Sequence, residues 1–182
     1  MYDWYSTHMK IVELAPQLHG HVIACVFEPD GSPASRTESD NVVCTGAYTA
    51  MASAFNWAGT QDVASLTGLS GSYLTPIFGA VGISGTAATS SDTQLGSEVA
   101  RVTVASAGNS GSSWAWVFQF GAPITGYTIQ EAGVFVSYTA NGVPQNTATS
   151  TANSGILFDH TTFTGISWGT AQSLTLQFTF TW

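Results

Sequence analysis

The sequence predicts a mainly β fold: an antiparallel β-sandwich of about seven or eight strands carrying one packed α-helix. Three stretches carry that expectation. Leu174 to Trp182 alternates without a break, with Leu174, Leu176, Phe178, Phe180 and Trp182 on one face and Thr or Gln on the other. Trp114, Trp116, Phe118 and Phe120 likewise line one face of a second strand. Residues 127 to 138 are rich in β-branched and aromatic side chains and apolar or small on both faces, as a central strand is.

Residues 1 to 18 form an N-terminal arm ahead of a single domain over residues 19 to 182. Tyr2, Trp4 and Tyr5 give the arm an aromatic tip suited to attachment to a partner. His19 to Phe27 is a strand, and Glu28-Pro-Asp-Gly31 a turn, because Pro presets one dihedral and Gly supplies a positive φ. A return strand near Ser35 to Glu38 completes a hairpin, and Val42 to Cys44 is a short extended piece.

The helix is expected at about 46–57, where Ala47, Met51, Ala54, Phe55 and Ala58 recur at helical spacing between Thr45 as cap and Gly59 as stop. An irregular connection over 59–75 leads to an apolar strand, Ile77 to Ile83, and a polar loop, Ser84 to Asp92. One helical turn is expected after Asp92, then a strand from Val99 to Ala105 and a Gly/Ser/Asn turn over 106–113. After residues 127 to 138, a polar loop over 140–154 precedes a short strand over 155–163.

Composition excludes several functions. The 182 residues carry a formal charge of −8, only 8% are charged, and Lys10, Arg36 and Arg101 are the basic residues. That balance opposes a nucleic-acid face and an anionic membrane surface. With 44% hydrophobic and 12% aromatic residues, the chain has enough to bury a core. No apolar run has the length of a membrane helix, and no export signal is read at the N-terminus, so membrane insertion is not expected. Cys25 and Cys44 have no metal-motif spacing and read as two buried free thiols in preference to a disulfide.

Candidate chemistry is sparse. His19 and His21 lie two apart on a strand and project from one face, so three chains around an axis would present six imidazole nitrogens to a metal shared between subunits. The plainer reading is two surface histidines, and no other cofactor is expected. Arg101 and Glu131 read as a structural ion pair across the sheet rather than an electrostatic pair for catalysis. Asp159 and His160 are thrown to opposite faces by strand alternation, and no Gly-x-Ser-x-Gly elbow is present, so no enzyme is expected. Trp114 with Trp116, or Tyr127 with Tyr138, are weighed as a sugar platform, and the alternation assigns the tryptophans to the core.

Four segments in order carry a resemblance. They are His19-Gly-His-Val22 through Phe27 with Pro29-Asp-Gly31; Asp40-Asn-Val-Val43 with Thr45-Gly46 and the helix; Gly79-Ala-Val-Gly82 to Gly85-Thr86, followed by Ser91-Asp-Thr-Gln-Leu95, Glu98 and Arg101; and Glu131-Ala-Gly-Val-Phe135 with the late strand pair ending at Trp182. From residue 19 to 182 this resembles structural proteins of tailed bacteriophages, in the tail-fibre, collar and head-decoration group. Two departures are Ser84, where those proteins often have a second glycine-threonine step, and an enlarged loop at 139–155.

The resemblance implies a non-enzymatic virion protein of tail, collar or capsid, made in the host cytoplasm and acting through contacts with other virion proteins. The arm would attach it, and the loops at 84–92 and 139–155 would form its exposed face. A mean hydropathy of +0.17 suits a homo-oligomer that covers apolar surface, and a trimer is expected. The alternative is a receptor-binding or lectin-like module that recognises host surface glycan through loop aromatics such as Tyr138.

Overall fold

The computed structural model describes residues 18–48, 50, 78–140, 143–145 and 147–181. Its strands are β1 (His19–Phe27), β2 (Pro33–Val43), β3 (Phe78–Gly82), β4 (Glu98–Ser110), β5 (Ser113–Phe120), β6 (Tyr127–Val136), β7 (Tyr138–Ala140), β8 (Val143–Gln145), β9 (Ile156–Trp168) and β10 (Ser173–Thr181). Eight of them close into one antiparallel barrel in the order β1-β10-β5-β4-β3-β6-β9-β2, and β7 with β8 forms a separate two-stranded ribbon. The mainly β expectation therefore holds, and the sandwich is corrected to a barrel.

Closure is made by the N-terminal hairpin. β1 pairs with β10 along its whole length, from His19↔Thr181 to Phe27↔Ser173. β2 meets β9 through only two register pairs, Val42↔His160 and Val43↔Asp159. Beyond those pairs the seam is held by side chains: Ser39 Oγ donates to the Thr162 carbonyl at 3.2 Å and Thr161 Oγ1 to the Asp40 carbonyl at 3.1 Å. Full closure leaves few strand edges free for unwanted pairing.

The interior follows from period-2 alternation. Val22, Ala24 and Val26 of β1, Trp116, Phe118 and Phe120 of β5, and Leu174, Leu176, Phe178 and Phe180 of β10 all enter one buried cluster. Within it Trp116 meets Phe158 and Phe180 edge-on, with centroids 5.5 and 5.0 Å apart. Such tilted pairs add about 0.5–1.5 kcal/mol each beyond area burial. Trp116 thus belongs to the core, as the alternation indicated, while Trp114 is only partly buried and packs against it.

A smaller apolar cluster lies on the other side of the same wall: Cys44, Phe78, Ala80, Leu95, Phe135, Ala148 and Leu157. Along β6, Ala132 and Val134 face the interior while Phe135 joins this outer cluster, so the strand is buried on both faces. The segments 83–97 and 147–155 supply the cover, through Leu95 and Ala148.

Several boundaries differ from expectation. The turn at Glu28–Gly31 forms, with Gly31 N donating to the Glu28 carbonyl at 2.9 Å and Gly31 at φ 84°. The extended piece near Val42 is the end of one long β2, however, because its polar positions are only half buried and leave no apolar period. β9 likewise runs on to Trp168 through Thr, Gly and Ser. No helical turn follows Asp92 among the described residues; that stretch is irregular up to Glu98. Of the expected 46–57 helix, residues 46–48 and 50 are described and helical, as is Thr45, while 49 and 51–57 lie outside the described residues. So do residues 1–17 of the arm, with Tyr2, Trp4 and Tyr5, and Trp182.

Candidate functional site

Glu131 is fully buried on the outer wall, beneath the 83–97 segment. Its Oε1 accepts from the backbone N–H of Ser97 at 2.7 Å and of Ser84 at 3.2 Å, and its Oε2 from Gly96 N–H at 2.9 Å. His160 Nε2 lies 3.2 Å from the same Oε2, while His160 Nδ1 lies 2.7 Å from Asp92 Oδ2. Asp92 is held in turn by Thr89, whose N–H and hydroxyl donate at 2.8 and 2.6 Å. The result is carboxylate, imidazole, carboxylate in a line, with Glu131 at the buried end.

Local backbone explains why these groups meet. β6 and β9 are neighbours, with Gly133 opposite His160 and Glu131 opposite Thr162, so the imidazole stands diagonal to the carboxylate on one face. Gly82 sits opposite Glu131 on β3 and leaves the space its carboxylate fills, since a Cβ there would run into Glu131 Oε1.

The electrostatics are mutually reinforcing. Burial opposes ionisation of Glu131, but the hydrogen bonds from His160, Ser97, Gly96 and Ser84 together hold its carboxyl below the usual range. Asp92 is also lowered, against burial, by Thr89 and His160. His160 is raised: burial works against its charge, and hydrogen bonds to Glu131 and Asp92 outweigh it. An imidazolium therefore donates to two carboxylates.

A pH dependence follows with a definite sign. The two carboxyls are depressed in the fold, so their contribution is present above their ordinary values and is lost as pH falls through the folded ones. The His160 contribution is complete below its ordinary value of 6.5 and is lost as pH rises through its raised one. Hydrogen exchange at the Gly96 and Ser97 amides is expected to accelerate on acidification below about pH 4, beyond the intrinsic change.

Arg101 does not pair with Glu131. It pairs with Glu98, Nε to Oε1 at 2.7 Å and Nη2 to Oε2 at 2.8 Å, with both side chains 2% exposed. Its Nη1 donates to the Ser154 and Thr149 carbonyls at 2.8 and 3.1 Å, and its guanidinium lies 4.0 Å from the Phe135 ring centroid. β3 stands between β4 and β6, separating Arg101 from Glu131. A register shift puts Gly82 opposite Glu98 although Val81 is opposite Ala100, so Glu98 and Arg101, three apart, come to one face.

The remaining candidates are scattered. His21 Nδ1 lies 3.3 Å from Asp40 Oδ1 and Nε2 lies 3.9 Å from Glu38 Oε2, on the outer surface of β1. Neither His19 nor His21 belongs to a group of three metal-binding side chains among the described residues. Cys25 and Cys44 are both free, and burial first, then Asp159 and Asp92, push the Cys44 thiol up to about 12, so it is no nucleophile. Tyr127 packs on Trp168, with centroids 6.2 Å apart, while the Tyr138 side chain lies outside the described residues. Those two rings border a cleft of about 280 Å³ at one barrel mouth, with Val99, Val102, Phe120 and Ile124 among its uncharged lining.

Comparison with models of protein families, with curated proteins and with solved structures finds no match to this chain.

Proposed function

We propose that the protein is a non-enzymatic structural component of a tailed-phage virion, a β-barrel that acts through assembly contacts. One observation carries the non-enzymatic part: the Glu131–His160–Asp92 cluster spends its hydrogen-bonding capacity on the protein itself. Three of the four hydrogen bonds to Glu131 come from the backbone of the 83–97 segment or its junction with β3, and the imidazole has both nitrogens engaged. A general acid or base needs an open position beside it for substrate. This one staples a loop to a wall.

The virion assignment rests on the ordered segments from His19 to Trp182 and on a low-charge Thr/Ser/Gly surface. In this reading the arm with Tyr2, Trp4 and Tyr5 docks the protein onto neighbouring virion proteins. Three copies associate, with His19 and His21 offering a metal position between them. The 84–92 and 147–155 loops, anchored at Asp92 and Arg101, present a rigid outer face.

The test supplies tagged full-length protein, and a variant lacking residues 2–14, during growth of the encoding phage. Purified particles are then probed for the tag. Full-length protein is expected in the particles, and the truncated protein is expected to stay in the lysate. Truncated protein in the particles would remove the arm's role. Absence of both, or a specific hit for the isolated protein on a glycan array, would overturn the virion reading in favour of a soluble or lectin-like module. Native mass spectrometry with and without chelator reads the trimer and any shared metal.

A further inference from the structure

The interior side of the seam holds a second polar group that the Glu131 cluster does not use. Asp159 is fully buried, and its strand partners Val43 and Val134 both belong to the core. Asn41 lies two positions before Val43 on β2 and shares its inward face. Oδ1 and Oδ2 of Asp159 and Oδ1 and Nδ2 of Asn41 are all buried without a hydrogen-bond partner. Four orphaned polar atoms at one spot contrast with the neighbouring Glu131 carboxylate, where every oxygen is met.

The two side chains complement one another in only one protonation state. An ionised carboxylate has acceptors and no donor, so it uses one N–H of the carboxamide and confronts the carboxamide oxygen with negative charge. A carboxylic acid has one O–H and one carbonyl oxygen. Against a carboxamide it closes a ring of two hydrogen bonds, its O–H to Asn41 Oδ1 and Asn41 Nδ2–H to its carbonyl oxygen. That arrangement gives each of the four atoms a partner.

We propose that Asp159 carries a proton in the folded protein and that the Asp159–Asn41 acid–amide pair latches β2 to β9, making closure of the barrel depend on that proton. The position makes the latch consequential, because Val42↔His160 and Val43↔Asp159 are the register pairs that join the two strands.

Burial pushes the Asp159 carboxyl up to about 8, against a smaller opposing pull from Asn41 and from the charge on His160. Asn41 exerts that pull at close range, although no hydrogen bond between the two reaches proper geometry in this structure. Few other titratable groups surround the pair. His160 follows Asp159 on β9 but turns to the outer wall, where Glu131 of β6 and Asp92 of the 83–97 segment engage it. Cys44, next after Val43, holds its proton up to about 12. β1 and β2 bring His19, His21, Glu38 and Asp40 only to the outer surface.

In the unfolded chain Asp159 ionises near its ordinary value of 3.8, and in the fold near 8. The folded state therefore holds the extra proton between those values. The latch contributes fully below the lower value, and the folding equilibrium constant falls about tenfold per pH unit through the window, levelling above about 8.

Asp159→Asn tests this, since two carboxamides form the same two-bond ring and neither titrates. Urea unfolding of both proteins is measured from about pH 5 to about pH 9. The ratio of folding constants is expected to move in favour of the variant by about tenfold per pH unit and to level at the alkaline end. The Asp159 carboxyl carbon resonance in the native protein is expected to titrate near 8. Parallel pH profiles, or a carboxyl resonance that titrates in the ordinary carboxylate range, would overturn the proposal. The resonance decides alone if the variant does not fold.

Discussion

Glu131→Ala is expected to cost about 3–5 kcal/mol of stability, the scale of breaking a buried charge network by removing one member. Three backbone N–H groups, those of Ser84, Gly96 and Ser97, lose their acceptor, and His160 loses one of its two carboxylates. Each buried donor left unmet costs about 1–3 kcal/mol, so the loss comes mainly from the orphans and less from the charge. Glu131→Gln discriminates these contributions. It keeps a carbonyl oxygen for some of the donors but turns an NH2 group against the rest, so it is expected to lose nearly as much. Urea unfolding gives the total, and exchange at Gly96 and Ser97 shows whether the 83–97 segment detaches first. A loss below about 1 kcal/mol for the alanine variant would mean that water replaces the carboxylate freely and that the segment is not stapled by it.

Arg101→Ala is expected to have an effect of the same order, about 3–5 kcal/mol, by a different route. It strands Glu98, whose side chain is 2% exposed and whose charge is then met, among the described residues, by the Asn153 amide at 2.8 Å. It also removes the donors to Ser154 and Thr149 and the cation over Phe135, so the 147–155 segment loses its main tie to the barrel. Arg101→Lys retains the charge without the planar fork and is expected to recover less than half of the loss. The double variant Arg101→Met, Glu98→Leu is expected to be more stable than Arg101→Ala, because no charge is left buried alone. Thermal and urea unfolding of the set read this directly. Equal stability of the single and double variants would show that the pair's hydrogen bonds to the loop, and not the stranded carboxylate, carry the energy.

Which residues face inward was legible in the sequence, and how the strands close was not. Alternation in β5 and β10 places Trp116, Phe118, Phe178 and Phe180 in the core without reference to any partner strand. Whether first and last strands meet is decided by twist and by long-range register, here His19 against Thr181 and Val43 against Asp159, which leave no mark on local periodicity.

The site was half legible for related reasons. Glu131 stands out as an acid in an apolar strand, but a search confined to lysine and arginine passes over the histidine. His160 is the cation that reaches it, and its signal in the sequence is a histidine two residues after Phe158 in the same strand. Opposite faces for Asp159 and His160 is the correct geometry, and it sends each to a different buried polar group rather than excluding both. Glu98 is not an evident partner for Arg101 in the sequence, since a regular strand puts residues three apart on opposite faces, and only the register shift at Gly82 brings the two together.

The order of strands around the barrel also constrains when the molecule can become complete. β1 and β2 are made before β9 and β10, yet those late strands are their outer neighbours in the barrel. The early hairpin must wait through the synthesis of more than a hundred residues with both of its flanks unmatched. Folding is therefore governed by a late, sequence-distant encounter, the kind of step that is slow and leaves strands open to the wrong neighbour. The charged residues exposed along β2, Arg36, Glu38 and Asp40, suit such a wait, because charge along an unpaired strand disfavours pairing with another copy.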